Sequence, residues 1–277
     1  MAKNNSSRRS FIRSATLAGA GVFFLQPGPL LKKASLAKAA NQPEPSLERK
    51  KVLFVYGGWE GHDPLETMEL FVPWMRSEGA EVIVSDTLDI YLDEELMSSL
   101  DLIVQIWTMG QISGEQETML LKTIRNGAGL AGWHGGIGDA FRQNVEFQFM
   151  VGGQWVSHPG GVIDYRVNIT DPEDIVTRGL QDFDMHSEQY YMHVDPNVKV
   201  MATTRFTGDH APWIDGCVMP VVWKKYYGTG RVFYSSLGHV VTDFEVPEAL
   251  EIQKRGIRWA SESKYHPFEE WINPVYK

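Results

Sequence analysis

The stretch Gly129-Leu130-Ala131-Gly132-Trp133-His134-Gly135-Gly136-Ile137-Gly138 carries an apolar strand into a glycine-bracketed turn with His134 at its apex. In a GxHxG turn of this form the central side chain sits where a strand-to-helix elbow presents a nucleophile, in strained backbone, while the glycines give room for close approach. Cysteine or serine there would indicate acyl transfer. Histidine forms no such acyl-enzyme with its neighbours, so the chemistry left to it is acid/base work or metal ligation. Four further stretches carry groups of the same kind: Trp59-Glu60-Gly61-His62-Asp63, Trp155-Val156-Ser157-His158-Pro159, His186-Ser187-Glu188-Gln189-Tyr190-Tyr191 and Leu237-Gly238-His239. No HxH or HExxH spacing joins them, so ligands to a shared metal would have to converge from distant loops.

The surrounding elements place several of these groups at strand ends. Residues 52–56 read as a buried strand ended by Gly57-Gly58, and Pro64 opens a helix to residue 78, with Leu65, Met68, Phe71, Val72 and Met75 at helical spacing. Strands at 81–85, 102–107 and 129–133 alternate with a short helix at 93–100 and a helix over 113–125, which Ser113 and Gln116 open as a capping box. That alternation predicts right-handed βαβ units and a parallel sheet covered by helices on both faces. The second half has strand-like runs at 162–170, 198–204, 220–226 and 231–235, with few helices between them, and a closing helix at 247–261. It reads as the remaining strands plus an antiparallel extension. The clusters around His158 and Glu188 fall in stretches that read as irregular. In such a sheet ligands bind outside the carboxyl ends of the strands. Trp59, Trp133, Trp155 and Tyr190 would offer apolar platforms for a bound ligand, with Asp63 as a polar contact beside them.

Residues 1–40 read as a leader rather than as fold. Ser7-Arg8-Arg9-Ser10-Phe11-Ile12-Arg13 precedes an apolar run over 14–26, and Ala37-Lys38-Ala39 supplies small residues for cleavage. This is the pattern of a twin-arginine export signal, which predicts passage through the twin-arginine translocase and a periplasmic or extracellular protein. The apolar run is too short and too rich in Gly and Ala for a membrane anchor. Residues 41–50 read as a linker, and 51–277 as one domain. The leader holds seven Lys and Arg and no acid, so a net charge of −9 becomes −16 for residues 41–277. Bulk charge of that sign disfavours nucleic acid and favours a small neutral ligand. The single cysteine, Cys217, can form no intramolecular disulfide.

Residues 126–134, NGAGLAGWH, resemble the GGGLVGIH motif of the trehalose-utilisation, ThuA-like family. The resemblance continues through Gly152-Gly153-Gln154-Trp155-Val156-Ser157-His158-Pro159, similar to GGxFxxHP, through residues 178–183, Glu188 and Tyr190, and through residues 228–239; His62-Asp63 stands at the family's HD. It spans about residues 50–262. It implies a three-layer, flavodoxin-like fold of the class I glutamine amidotransferase-like type. It also implies an enzyme of glycoside or disaccharide metabolism, acting on 3-keto sugars as an isomerase, lyase or hydrolase. A ketone acidifies the neighbouring C–H, so a histidine base, a carboxylic acid and a Lewis-acidic metal suffice for enolisation, epimerisation or elimination. The expected catalytic groups are His134, Glu188 and His239, and a divalent metal, zinc or similar, would be shared among His62, His134, His158 and His239. No nucleotide cofactor is expected, and association into a homo-oligomer is compatible with these features. Ser187 departs from the family, which commonly has Asp before this Glu. The alternative is a non-catalytic carbohydrate-binding protein on the same fold. A true glutamine amidotransferase is excluded by the position of Cys217, away from the elbow.

Overall fold

The structure, a computed structural model, describes residues 44–266 and 268; the segment expected to be a twin-arginine leader, residues 1–40, lies outside the described residues. The body from Pro45 onward begins with β1 (Lys51–Gly58), α1 (Pro64–Ser77), β2 (Glu81–Ser85), α2 (Glu94–Ser99), β3 (Leu102–Thr108), α3 (Gly114–Arg125), β4 (Gly129–Trp133) and α4 (Gly135–Gly138). It continues through α5 (Val145–Val151), β5 (Gly153–Ser157), β6 (Val162–Ile169), β7 (Phe183–Glu188), β8 (Tyr191–Val194), β9 (Lys199–Arg205), β10 (Val218–Tyr227), β11 (Gly230–Ser235) and α6 (Pro247–Ser261). Nine strands form one sheet in the order β2-β1-β3-β4-β11-β10-β9-β6-β7, and β5 pairs with β8 separately.

The five strands β2-β1-β3-β4-β11 run parallel in the flavodoxin-like order, and β10, β9, β6 and β7 add to them antiparallel. Both halves of the expectation hold. Alternate residues of β1 show why the strand reads as a continuous apolar run: Val52 and Phe54 enter one core with Phe71 and Met75 of α1 and Ile252 and Ile257 of α6. Leu53 and Val55 enter the other, with Leu120 and Ile124 of α3 and Phe147 and Met150 of α5. Both faces are dry, and each such side chain contributes about 1.5–3 kcal/mol by its burial. The Ser113–Gln116 capping box forms as expected. Among the described residues no helix is long and apolar enough to cross a membrane.

Three readings need correction. Residues 45–50 are no linker: Leu47 is fully buried, and Lys50 pairs with Glu262 at 3.2 Å. The cluster around His158 is not irregular, since β5 carries it, with a register shift against β8 between Trp155 and Ser157. The cluster around Glu188 ends strand β7, whose sequence FDMHSE carries no β-branched residue and alternates buried and exposed positions with polar groups on both faces. Those polar groups hid the strand from a reading based on apolar runs.

Candidate metal centre

Four strand ends and their loops build one site. In β1 and β3 the register pairs Gly58 with Thr108, which brings both carboxyl ends level. Beyond Gly58 a single 3₁₀ turn, Glu60–His62, and a left-handed Asp63 (φ 46°) turn His62 inward before Pro64 starts α1. His134 follows β4 with φ 46° and ψ −132°, strained backbone for any residue with a Cβ. The strain is held in place by bonds on both sides: His134 N donates to the Ser235 carbonyl at 2.7 Å, and Tyr234 Oη and Gly138 N donate to the His134 carbonyl. The glycine after it is required sterically, because a Cβ on Gly135 would stand 2.6 Å from the His62 ring. His239 leaves β11 through Gly238, and Glu188 arrives from the far end of the sheet on β7.

These four side chains converge. The donor atoms of His62, His134, Glu188 and His239 all lie within 4.8 Å of one another. Glu188 Oε2 is the common point: His134 Nε2 lies 3.1 Å from it, His239 Nδ1 3.4 Å and His62 Nε2 4.0 Å. Four N and O ligands around zinc at about 2.1 Å are separated by about 3.4 Å, so the nearer two spacings already match and the third needs a modest contraction.

The protonation states suit a cation. His134 Nδ1 sits 2.9 Å from the Ser236 carbonyl, which can only accept, so that nitrogen carries the hydrogen and Nε2 turns a lone pair toward Glu188. Two acceptors at 3.1 Å need a positive charge between them, from a proton or a metal ion. His62 Nδ1 is engaged by Thr108 Oγ1 at 2.8 Å, leaving Nε2 to face inward, and His239 Nδ1 is buried without a hydrogen-bond partner. Burial, then the neighbouring His134 and His239 rings, push His62 down to about pKa 3. Burial also lowers His239. Burial would raise the Glu188 carboxyl, but His134 and the other histidines outweigh it and hold it at about 2. Neutral imidazoles, as at His62 and His239, and an anionic carboxylate are the ligand forms a divalent metal requires. The residues present therefore fit zinc or a similar ion, held by His62, His134, Glu188 and His239.

Some expected site residues take other places. His158 lies outside the four-residue set, 3.6 Å from the other Glu188 oxygen, Oε1, and is partly exposed; Glu188 fills the ligand place expected of it. Trp133 is only 2% exposed and packs on Phe71 at 4.8 Å, because inward positions of β4 face the core; it is no sugar platform. Tyr190 is 3% exposed and stacks on the His134 ring at 3.9 Å, so it backs the site rather than lining it. Asp63 is committed to the Val241 amide at 3.2 Å. Trp59, half exposed, stands edge-on to His62 at 4.8 Å, and Trp155 tilts over His158 at 5.6 Å under the Arg142 guanidinium. Those two stand beside the histidines without being buried in the core. Ser187 donates to Asp243 at 2.6 Å, so a second carboxylate stands beside the site after all, supplied by a different element. Thr108 and Asp243 escaped sequence reading; the polar residue closing the apolar run of β3 was the signal for Thr108. Cys217 lies half-buried on the loop before β10.

Known structures with related folds include a ThuA-like protein from Bacteroides uniformis ATCC 8492, 16% identical, with a TM-score of 0.65 over 79% of this chain and 94% of that one. A ThuA-like protein from Parabacteroides merdae ATCC 43184 is 19% identical, with a TM-score of 0.60 over 77% and 90%. The cytoplasmic protein STM1381 from Salmonella typhimurium LT2 is 13% identical, with a TM-score of 0.54 over 77% and 98%. No curated protein matches the sequence. The profile of the ThuA family, described as trehalose utilisation, matches residues 51–260, from the first strand to the closing helix and across all four converging side chains. The chain belongs to the ThuA, trehalose-utilisation family.

Proposed function

We propose that the protein is an exported, metal-assisted enzyme that acts on glycosides or disaccharides in their 3-keto form. The observation that carries the reading is the convergence of three histidines and one carboxylate at the carboxyl ends of a flavodoxin-like sheet. A bound divalent ion supplies Lewis-acid polarisation of a substrate carbonyl. The chain's own residues do the rest. His158, partly exposed and with Nε2 3.6 Å from Glu188 Oε1, takes the proton from the carbon beside the ketone at Nε2. The C–H electron pair passes into the enolate, and either the proton returns to the opposite face, which is epimerisation, or the enolate pair forms C=C while the oxygen β to the ketone departs with the C–O pair and takes that proton from His158, which is elimination. Trp59 and Trp155 flank the opening as apolar walls for a sugar ring, and buried Tyr190 closes the floor against water. The twin-arginine motif of the leader supports a place outside the cytoplasm.

The test is turnover of 3-ketoglucosides by the purified protein, with and without chelator. Activity that is lost on chelation, restored by a divalent ion and abolished in His134→Ala and His239→Ala is the expected result; unchanged activity in both variants refutes the role. One observation favours a second reading, a carbohydrate-binding protein without catalysis: the elbow carries histidine where the fold's nucleophile would stand. Calorimetric binding of glycans with no turnover of any keto sugar would select it.

A further inference from the structure

The four converging residues come from distant parts of the chain, and β7, which carries Glu188, is four strands away from β11, which leads to His239. In a flat sheet those strands would stand about 19 Å apart, at about 4.8 Å per step. Glu188 Oε2 and His239 Nδ1 are nevertheless 3.4 Å apart. Something must hold the end of the antiparallel extension over the parallel half.

The 3₁₀ turn at Val241–Glu245 touches all three of the loops concerned. Its Asp243 accepts with one oxygen, Oδ2, from the His239 amide at 2.9 Å and from the hydroxyl of Ser187, the residue before Glu188, at 2.6 Å. Its Val241 amide donates to Asp63, the residue after His62, at 3.2 Å. Ser187 and Asp243 are buried, 1% and 6% exposed, so water offers these groups little competition. All three acceptors are carboxylate oxygens, and the bond from the Ser187 hydroxyl is buried.

We infer that the 241–245 turn, through Asp243, is the positioning device that sets the spacing among His62, Glu188 and His239. Asp243 touches none of the reacting atoms and is a positioning residue. The inference rests on the metal-centre reading for its consequence, but the bonds themselves exist whether or not a metal binds. Two readouts separate the two. In metal-free protein, hydrogen exchange and the amide resonance of His239 report the clamp alone. In the same samples, calorimetric titration with zinc reports the spacing of the ligands.

Ser187→Ala keeps the strand and removes one bond of the clamp. It is expected to speed exchange of the His239 amide by an order of magnitude and to weaken zinc binding by about 10–100-fold, the range for groups that orient metal ligands. Ser187→Thr retains the hydroxyl and should restore both values to near wild type. Asp243→Asn, which keeps an acceptor for the His239 amide but loses the charge, should fall between. Wild-type exchange and wild-type zinc affinity in folded Ser187→Ala overturn the inference. If wild-type protein binds no zinc while the His239 amide still responds to Ser187→Ala, the clamp stands and the metal reading falls.

Discussion

Glu188 Oε2 lies 3.1 Å from His134 Nε2, while the other nitrogen of His134 is committed to the Ser236 carbonyl. The imidazole therefore cannot satisfy the carboxylate as a neutral ring, and the pair is arranged around a positive charge. Glu188 and His134 come from opposite halves of the sheet, so their approach is a property of the complete fold and of no single motif.

Glu188→Gln keeps the volume and removes the anion. Zinc affinity of the variant, measured by competition with a chromogenic chelator, should fall at least 100-fold, with little loss of secondary structure by circular dichroism. Retained affinity would remove Glu188 from the ligand set.

Thr108→Val removes the hydroxyl that orients His62 through Nδ1 at 2.8 Å without changing the size of the side chain. Metal affinity should drop about 10–100-fold, as it does when a group that orients a ligating histidine is lost. An affinity within twofold of wild type would mean that packing alone orients His62.

Gly135→Ala places a methyl group 2.6 Å from His62. Overpacking of this kind costs about 1–3 kcal/mol, and His62 must turn away from the cluster. Urea unfolding should show the loss, and zinc titration should show weaker binding; a variant with neither change would show that the turn yields freely.

The two tryptophans provide a contrast. Trp133→Ala empties part of the core and should destabilise the protein by about 3–5 kcal/mol. Trp59→Ala, at a half-exposed position, should leave the urea midpoint nearly unchanged and raise KM for a keto-glycoside. Equal effects of the two on stability would contradict their assignment to core and wall.

Metal-free protein should lose stability as the pH falls. His62 binds its proton near pKa 6.5 when unfolded but only near 3 when folded, so between those values the unfolded state holds more protons and acid favours it. Glu188, folded near 2, adds to the loss below its unfolded value of about 4.5. Chelator-treated protein should therefore show a Tm that is flat above pH 7 and declines below about 6.5. A Tm that rises toward pH 5 has the wrong sign for this account.

The parallel half of the fold was legible because its strands are buried on both faces and its helices carry ordinary caps: the elements expected at 81–85, 129–133 and 247–261 have the observed bounds. The extension was harder. Strand β7 spends its residues on His186, Ser187 and Glu188, and β5 breaks register, so neither repeats a strand's apolar pattern. His134, His239 and Glu188 were legible as reactive types at strand ends or in a motif. Their spacing was not, because it depends on Asp243 and on the long-range approach of β7, which local sequence does not encode. Trp133 and Tyr190 mislead in the opposite direction: large aromatics beside a site look like platforms, but the strand and the His134 ring need them for packing.

The most direct measurement is the metal content and position in protein purified without added metal or chelator. Elemental analysis should give one divalent ion per chain, and anomalous diffraction should place it within about 2.2 Å of donor atoms from His62, His134, Glu188 and His239. His134→Ala should lose it. Wild-type protein that holds no ion there, and that takes up none at millimolar zinc, manganese or nickel, would contradict the account.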